Sequence, residues 1–367
     1  MILPTTYLAA LLLAIFTMLC WGSWANTQKL AGSKWRFELF YFDYSAGVLL
    51  CAILAAFTFG TLDDKEMTFL DTFFGIALRK IAWAVAGGVI FNIANVLLVA
   101  AIAISGMAVA FPIAIGLALI IGVVWNYFLN PQGNPSMLFG GALLVGLAII
   151  VDAIAYRAAH AAKRITAAET LTAATDPLAA PKRQSSSQRH QKRKTSAMST
   201  ATKGILVSLI SGGLMGAFYP FVQISMSDEG MGLSAYTAGF FFSIGVFLST
   251  LLIVPILMNF PLHGQPVEFK AYFAGTRKQH LLGILGGMIW FAGTIANLAA
   301  SSAPKSANVG PAVSYALGQG ATLISAFWGL FIWKEFKDAP SRITFLLWIM
   351  IALFVIGLTL VSLAPLH

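Results

Sequence analysis

Charge is what this sequence has least of. Only 10% of its 367 residues are Asp, Glu, Lys or Arg, while 58% are hydrophobic; soluble domains carry roughly a quarter charged residues. Charged helix faces are missing outside one central segment, which excludes a soluble multidomain protein. Cysteine is nearly absent: Cys20 and Cys51 both lie inside apolar runs, which argues against a disulfide framework or metal site and leaves two small buried side chains. No Lys or Arg precedes the first apolar run, so the basic n-region of a cleaved signal is missing and the first helix is expected to stay. Neither G-x-x-x-x-G-K-[ST] nor H-E-x-x-H occurs, and the five His (His160, His190, His263, His280, His367) fall in expected loops or the tail. Nothing therefore calls for ATP, a metal or another cofactor, and enzyme chemistry finds no support.

What is present is long apolar runs. A bilayer span needs about 20 such residues, and ten runs qualify, near 4–28, 37–60, 80–104, 107–129, 136–156, 204–226, 234–258, 281–303, 307–333 and 342–363. The expected fold is an all-α integral membrane protein of ten transmembrane helices. Residues 157–203 interrupt it with ten basic and two acidic residues, Ser, Thr, Ala and Gln, and no aromatic. That composition predicts a largely disordered linker whose Ala-rich start, Ala158 to Ala174, extends the fifth helix. Its basic cluster, 189–194, is read as a topology determinant, with no nucleic-acid partner. With the N-terminus outside, 19 Lys and Arg fall on the inner side and 4 on the outer. The expectation is a multi-pass plasma-membrane protein with both termini outside and the linker in the cytoplasm.

The domains then read as 1–156, a first five-helix repeat, 157–203, the linker, and 204–367, a second repeat. Five helices per half make the halves inverted. Gly87-Gly88 recurs as Gly286-Gly287 and Pro112 as Pro311, both at an offset of 199, and Ser45-Ala46-Gly47-Val48 as Ser243-Ile244-Gly245-Val246 at 198. The loops Glu66 to Leu78 and Val267 to Arg277 mix Phe and Leu with charge, as interfacial helices do.

Polar groups in a bilayer are costly, so they mark a solute path or a structural bond between helices. Candidate substrate-binding residues are Trp21, Trp24 and Asn26 in the first run, Asn92 and Asn95 in the third, and Tyr219 and Gln223 in the sixth. Trp290 and Asn297 in the eighth and Tyr315 and Gln319 in the ninth complete the set. Rings stack on a planar solute, and amides match its carbonyls and N–H groups. Glu38 and Asp43, about 7.5 Å apart along a helix, are candidates for proton coupling, or else structural partners of Lys34 or Arg36. Pro112, Pro220 and Pro311 are candidate hinges.

The ten-helix, two-half pattern resembles the drug/metabolite transporter superfamily. Trp21-Gly22-Ser23-Trp24-Ala25-Asn26-Thr27-Gln28-Lys29-Leu30 and Phe37-Glu38-Leu39-Phe40-Tyr41-Phe42-Asp43-Tyr44-Ser45 are more narrowly similar to the ureide permease family and its bacterial relatives. The resemblance implies proton-coupled uptake of allantoin-like ureides or nucleobases and a long cytosolic loop between helices five and six. The phosphate-binding motif of the plant loops is missing here. Neighbouring families carry glucose, ribose or rhamnose, so monosaccharide uptake is an alternative, and drug or metabolite export another. Expected partners are a small polar solute, protons and the lipid bilayer; the oligomeric state is not legible.

Overall fold

The computed structural model describes residues 2–32, 34–62, 69–73, 77–174, 200–227, 232–262, 264–304, 307, 309–337 and 339–367. Ten helices among them are long and apolar enough to span a bilayer: α1 (Tyr7–Ala31), α2 (Phe37–Phe57), α3 (Leu78–Ser105), α4 (Val109–Leu129), α5 (Pro135–Ala159), α6 (Thr202–Met226), α7 (Ala235–Asn259), α8 (Arg277–Ser301), α9 (Pro311–Ile332) and α10 (Ser341–Leu366). No strand occurs among the described residues. Backbone N–H and C=O groups inside a span are met mainly within their own helix, the arrangement a hydrocarbon solvent demands. Large apolar side chains such as Leu252, Ile120 and Trp348 point outward, exposed by 69%, 62% and 66%, as lipid permits and water does not.

Local chemistry sets the helix ends. Thr6 Oγ1 accepts from the Ala9 N–H at 3.2 Å to start α1, and Ser234 does the same for α7. Thr276 and Gln279 form a reciprocal capping box at the start of α8, satisfying two of the donors that a helix start leaves free. Gly106, with φ of +81°, separates α3 from α4; a side chain there would clash with the backbone.

The packing repeats along the chain. α3 lies on α6 as α8 lies on α1, α4 on α6 as α9 on α1, and α2 on α8 as α7 on α3; α2 pairs with α7, α4 with α9 and α5 with α10. Close approach at the crossings is permitted by glycine. A Cβ on Gly47 would meet the Ile284 carbonyl and one on Gly245 the Val85 carbonyl; one on Gly287 would meet the Tyr44 carbonyl and one on Gly88 the Phe242 carbonyl. Lys80 and Gln279, 199 apart in sequence, do related work: Lys80 Nζ donates to the Ser227 carbonyl (2.9 Å) past the end of α6, and Gln279 Nε2 to the Ala31 carbonyl (3.3 Å) ending α1. Lys80 is thus a buried residue of α3, 8% exposed.

Several expectations meet differences here. α1 is interrupted at Trp24, between Tyr7–Ser23 and Ala25–Ala31, although Trp24 keeps helical dihedrals. α9 is not one continuous helix: it runs Pro311–Gly318, turns at Gln319 and Gly320, resumes as Ala321–Phe327 and widens into a π-turn at Trp328–Ile332. Pro112 and Pro220 lie inside their helices, where each removes one ladder bond. Pro311 instead takes the opening turn of α9, where a missing N–H costs nothing, so the interruption follows the glycines and not that proline. The α5 helix runs beyond the span to Ala174. The rest of the expected disordered linker, 175–199, lies outside the described residues. Short helices Phe69–Phe73 and Lys270–Phe273 occupy the α2–α3 and α7–α8 connections.

Candidate functional site

Residues Trp290, Thr294, Asn297 and Ser301 recur every three or four positions on α8 and form one buried face, each at most 6% exposed. Trp290 is the hub. Its ring stacks on Phe91 of α3 at 4.2 Å, lies parallel to Trp21 of α1 at 6.0 Å with 9° between planes, and meets Tyr44 of α2 at 6.4 Å and Phe242 of α7 at 6.0 Å. Trp21 Nε1 donates to Thr294 Oγ1 at 3.1 Å. Trp24 packs on Tyr44 (4.8 Å), which stacks on Tyr41 (5.0 Å), and Asn95 Nδ2 donates to the Tyr41 hydroxyl at 3.0 Å.

Toward the far end of α8 the seam turns polar. Asn297 Nδ2 donates to the Ser314 carbonyl at 2.9 Å, and Gln223 Nε2 to Ser301 Oγ at 3.2 Å. Two atoms there are buried without a hydrogen-bond partner: Asn297 Oδ1, an acceptor, and the Tyr219 hydroxyl. The Tyr219 hydroxyl faces Ser301, Ser314 and Gln223, none of which reaches hydrogen-bond geometry with it. The Tyr44 hydroxyl is a third such atom. An orphan buried polar group costs about 1–3 kcal/mol, and in a membrane core no bulk water relieves it. An acceptor and a donor beside Trp and Tyr rings form the complement of a planar amide.

At the other end of the α2–α8 crossing lies a charged cluster. Asp43, 4% exposed, accepts from the Tyr272 hydroxyl through Oδ1 at 2.6 Å, and its Oδ2 lies 2.8 Å from His280 Nδ1. Trp35 packs edge-on against the imidazole at 5.4 Å. His280 belongs to the first turn of α8, not to a loop as its position before the apolar run implied. Tyr272, on the short helix, has its phenol raised well above the ordinary value by burial and then by the Asp43 carboxylate. The T-x-x-Q pattern of Thr276 to Gln279 was the signal that places His280 in a helix; nothing in the sequence brings Tyr272 to Asp43. Asp43's partners are therefore not Lys34 or Arg36. Arg36 binds Glu38 instead, at 2.5 and 3.1 Å.

The seam thus gathers Trp21, Trp24, Asn95, Tyr219, Gln223, Trp290 and Asn297. Three candidates fall elsewhere, and Tyr315 borders the seam, its ring 5.3 Å from that of Tyr219. Asn92 bridges α3 to α7, donating to Ser249 Oγ (2.8 Å) and accepting from Thr250 Oγ1 (3.3 Å), so both ends of its amide are engaged between helices. The Tyr315 hydroxyl donates to the Ala118 and Met215 carbonyls (3.3 and 3.2 Å), tying α9 to α4 and α6. Gln319 sits at the break in α9, with its backbone N–H on the Tyr315 carbonyl (3.2 Å). Asn26 lies in the last turns of α1, past Trp24, where its Oδ1 accepts from Trp333 Nε1 at 2.6 Å. Among the described residues no cluster of His, Cys, Asp or Glu is arranged to hold a metal.

Ten apolar spans enclosing a buried aromatic and amide seam, with a lone carboxylate at one end of it, define a multi-pass membrane permease. The ureide permease family model matches residues 40–205 and 187–364, and the chain belongs to that family. It is similar to ureide permease 2 of Arabidopsis thaliana, at 23% identity over 95% of this chain and 94% of the relative. Ureide permease 4 of the same plant is 25% identical, over 96% of each chain. A probable ureide permease A3 of Vigna unguiculata is 23% identical over 91% of this chain and 96% of its own. A solved crystal structure aligns over 98% of both chains with a TM-score of 0.54 and 16% identity, which bears on the fold alone.

Proposed function

We propose that the protein takes up a small, uncharged polar solute, a ureide or a nucleobase, by secondary-active symport with protons. The observation that carries the solute class is the pair of orphan atoms in the seam, Asn297 Oδ1 and the Tyr219 hydroxyl. An amide or ureido group offers an N–H for an acceptor such as Asn297 Oδ1 and a C=O for a donor such as the Tyr219 hydroxyl. The Trp21 and Trp290 planes, nearly parallel, give such a solute an apolar face to lie against. The names of the plant relatives, all ureide permeases, point to the same class.

Proton coupling rests on Asp43. Ionised, it holds the Tyr272 hydroxyl and the His280 Nδ1–H; protonated, it keeps at most one of these as an acceptor and the α2–α8 crossing loosens. Tyr44, the next residue, touches Trp290, so a shift of α2 is felt in the seam. The halves 1–156 and 204–367 act as inverted repeats that rock about the seam; the paired glycine crossings support this reading. The excess of Lys and Arg on one side supports a plasma-membrane topology with both termini outside and the 157–203 linker in the cytoplasm.

Uptake of labelled allantoin into proteoliposomes tests the reading. Saturable uptake driven by an inward proton gradient and lost in Asn297→Leu is the expected result. Uptake of glucose in preference to allantoin, or allantoin uptake indifferent to Asn297→Leu, refutes it.

A further inference from the structure

A second site lies at the end of α1, past Trp24. A cavity of about 310 Å3 opens between the last turns of α1, the end of α5 and the end of α9, lined by Asn26, Lys29, Tyr156, Trp328, Trp333 and Glu335. Small-ligand sites run from roughly 300 to 1,000 Å3, so it suits a small solute. It shares no lining residue with the Trp290 seam.

Its construction is specific. The Glu335 carboxylate is held from two sides, by Lys29 Nζ at 2.6 Å on Oε1 and by the Tyr156 hydroxyl at 2.6 Å on Oε2. The Lys29 ammonium also sits 4.2 Å above the Trp333 ring. Both indole N–H groups are fixed, Trp333 on Asn26 Oδ1 at 2.6 Å and Trp328 on Ser23 Oγ at 2.8 Å. The backbone departs from regular helix to achieve this. The π-turn closes with the Trp333 N–H on the Trp328 carbonyl (3.0 Å), Lys334 adopts φ of 51°, and the Glu335 N–H returns to the Gly329 carbonyl (2.9 Å). A π-turn followed by a left-handed lysine is costly, and such strain persists where a side chain must be aimed. Gly329 is required as well: a Cβ there would lie 2.6 Å from the Tyr156 hydroxyl and 3.0 Å from Glu335 Oε2. One turn before Tyr156, Asp152 is 8% exposed and its Oδ1 has no partner. The cavity thus sets the Glu335 carboxylate, an acceptor, and the Lys29 ammonium, a donor, beside the two indole rings of Trp328 and Trp333.

We infer that this cavity is a second binding site for the same solute class, a planar ureido compound rich in N–H groups. Its N–H groups donate to the Glu335 carboxylate, its carbonyl accepts a hydrogen bond from the Lys29 ammonium, and its plane rests on Trp333 and Trp328. The inference rests on the ureide reading above and adds a site at the end of the bundle that bears the 157–203 linker, where a solute waits on entry or release.

Equilibrium binding of labelled allantoin to the purified full chain in detergent tests it. Two molecules per chain are expected for the wild type and one for Glu335→Gln, the lost site weakened at least tenfold. Asn297→Leu should remove the other. A Lys29→Glu, Glu335→Lys double variant separates recognition from architecture, because it keeps an ion pair and the fold but reverses donor and acceptor. It should fold, elute as wild type and still lack this site. Two-site binding in Glu335→Gln, or its return in the double variant, overturns the inference and leaves proton-driven ureide uptake standing. Glu335-dependent binding in a protein that moves no allantoin upholds the site and refutes the transport reading.

Discussion

Asp43→Asn separates holding the α2–α8 crossing from coupling it to protons. The side chain is 6% exposed and receives two short contacts, 2.6 Å from Tyr272 and 2.8 Å from His280. Bonds to a charged group contribute about 1.5–3 kcal/mol and neutral ones about 0.5–1.5 kcal/mol. Asparagine keeps an acceptor for Tyr272 and can meet the other imidazole tautomer, so the loss is about 1 kcal/mol per bond, or about 2 kcal/mol in all. For a chain of this size that is a few degrees in Tm, and the variant should purify normally. The effect on transport is larger in kind. Each pH unit across the membrane is about 1.36 kcal/mol per proton, a factor of ten in accumulation. With one proton per solute, wild-type proteoliposomes under an inward gradient of about two units should concentrate allantoin up to about a hundredfold, while Asp43→Asn should equilibrate at about one and retain solute exchange. Gradient-driven accumulation in Asp43→Asn refutes the coupling role. Loss of exchange together with uptake would assign Asp43 to solute binding or folding instead.

Asn297→Leu and Asn92→Leu each strip a buried bond, to the Ser314 carbonyl and to Ser249 Oγ, and should lower Tm by similar amounts, but only Asn297→Leu should abolish allantoin uptake while Asn92→Leu leaves its KM unchanged; the reverse pattern would exchange their roles. Gly287→Ala and Gly88→Ala should each cost about 1–3 kcal/mol through overpacking, read as matched falls in Tm, since each new methyl meets a carbonyl of the crossing helix. Tyr272→Phe should cost about 1.5–3 kcal/mol at pH 7. Because the folded phenol is raised, its contribution is present in full below the unfolded value of about 10 and is lost as pH rises through the folded value. The Tm difference between wild type and Tyr272→Phe should therefore be flat from pH 6 to about 9 and shrink above about 10. Deleting Thr175 to Met198 should leave uptake largely intact in correctly inserted protein; abolished uptake would make the linker part of the mechanism.

Much of this molecule was legible before any coordinates. A hydrocarbon solvent admits few charges and requires about 20 apolar residues per span, so ten runs of the right length could only be ten helices. The pairing of Gly87-Gly88 with Gly286-Gly287 was also readable, because a crossing of two helix backbones has room for hydrogen alone. Trp21, Trp290 and Asn297 stood out as costly groups in apolar surroundings, and they meet. The same reasoning does not separate roles at Asn92 and Tyr315, since a structural hydrogen bond between helices and a solute contact call for the same residue types.

What the sequence by itself determined is the set of elements, because solvent, length and propensity act on neighbours along the chain. Only the tertiary structure decided the partners. Tyr272 and His280 reach Asp43 from more than two hundred residues away, and Glu335 reaches Lys29 across 306. No local pattern encodes such meetings; they follow from which helices cross and at what depth. Which polar atoms are left over is decided there too, since Asn297 Oδ1 becomes an orphan only once α6, α8 and α9 have closed around it.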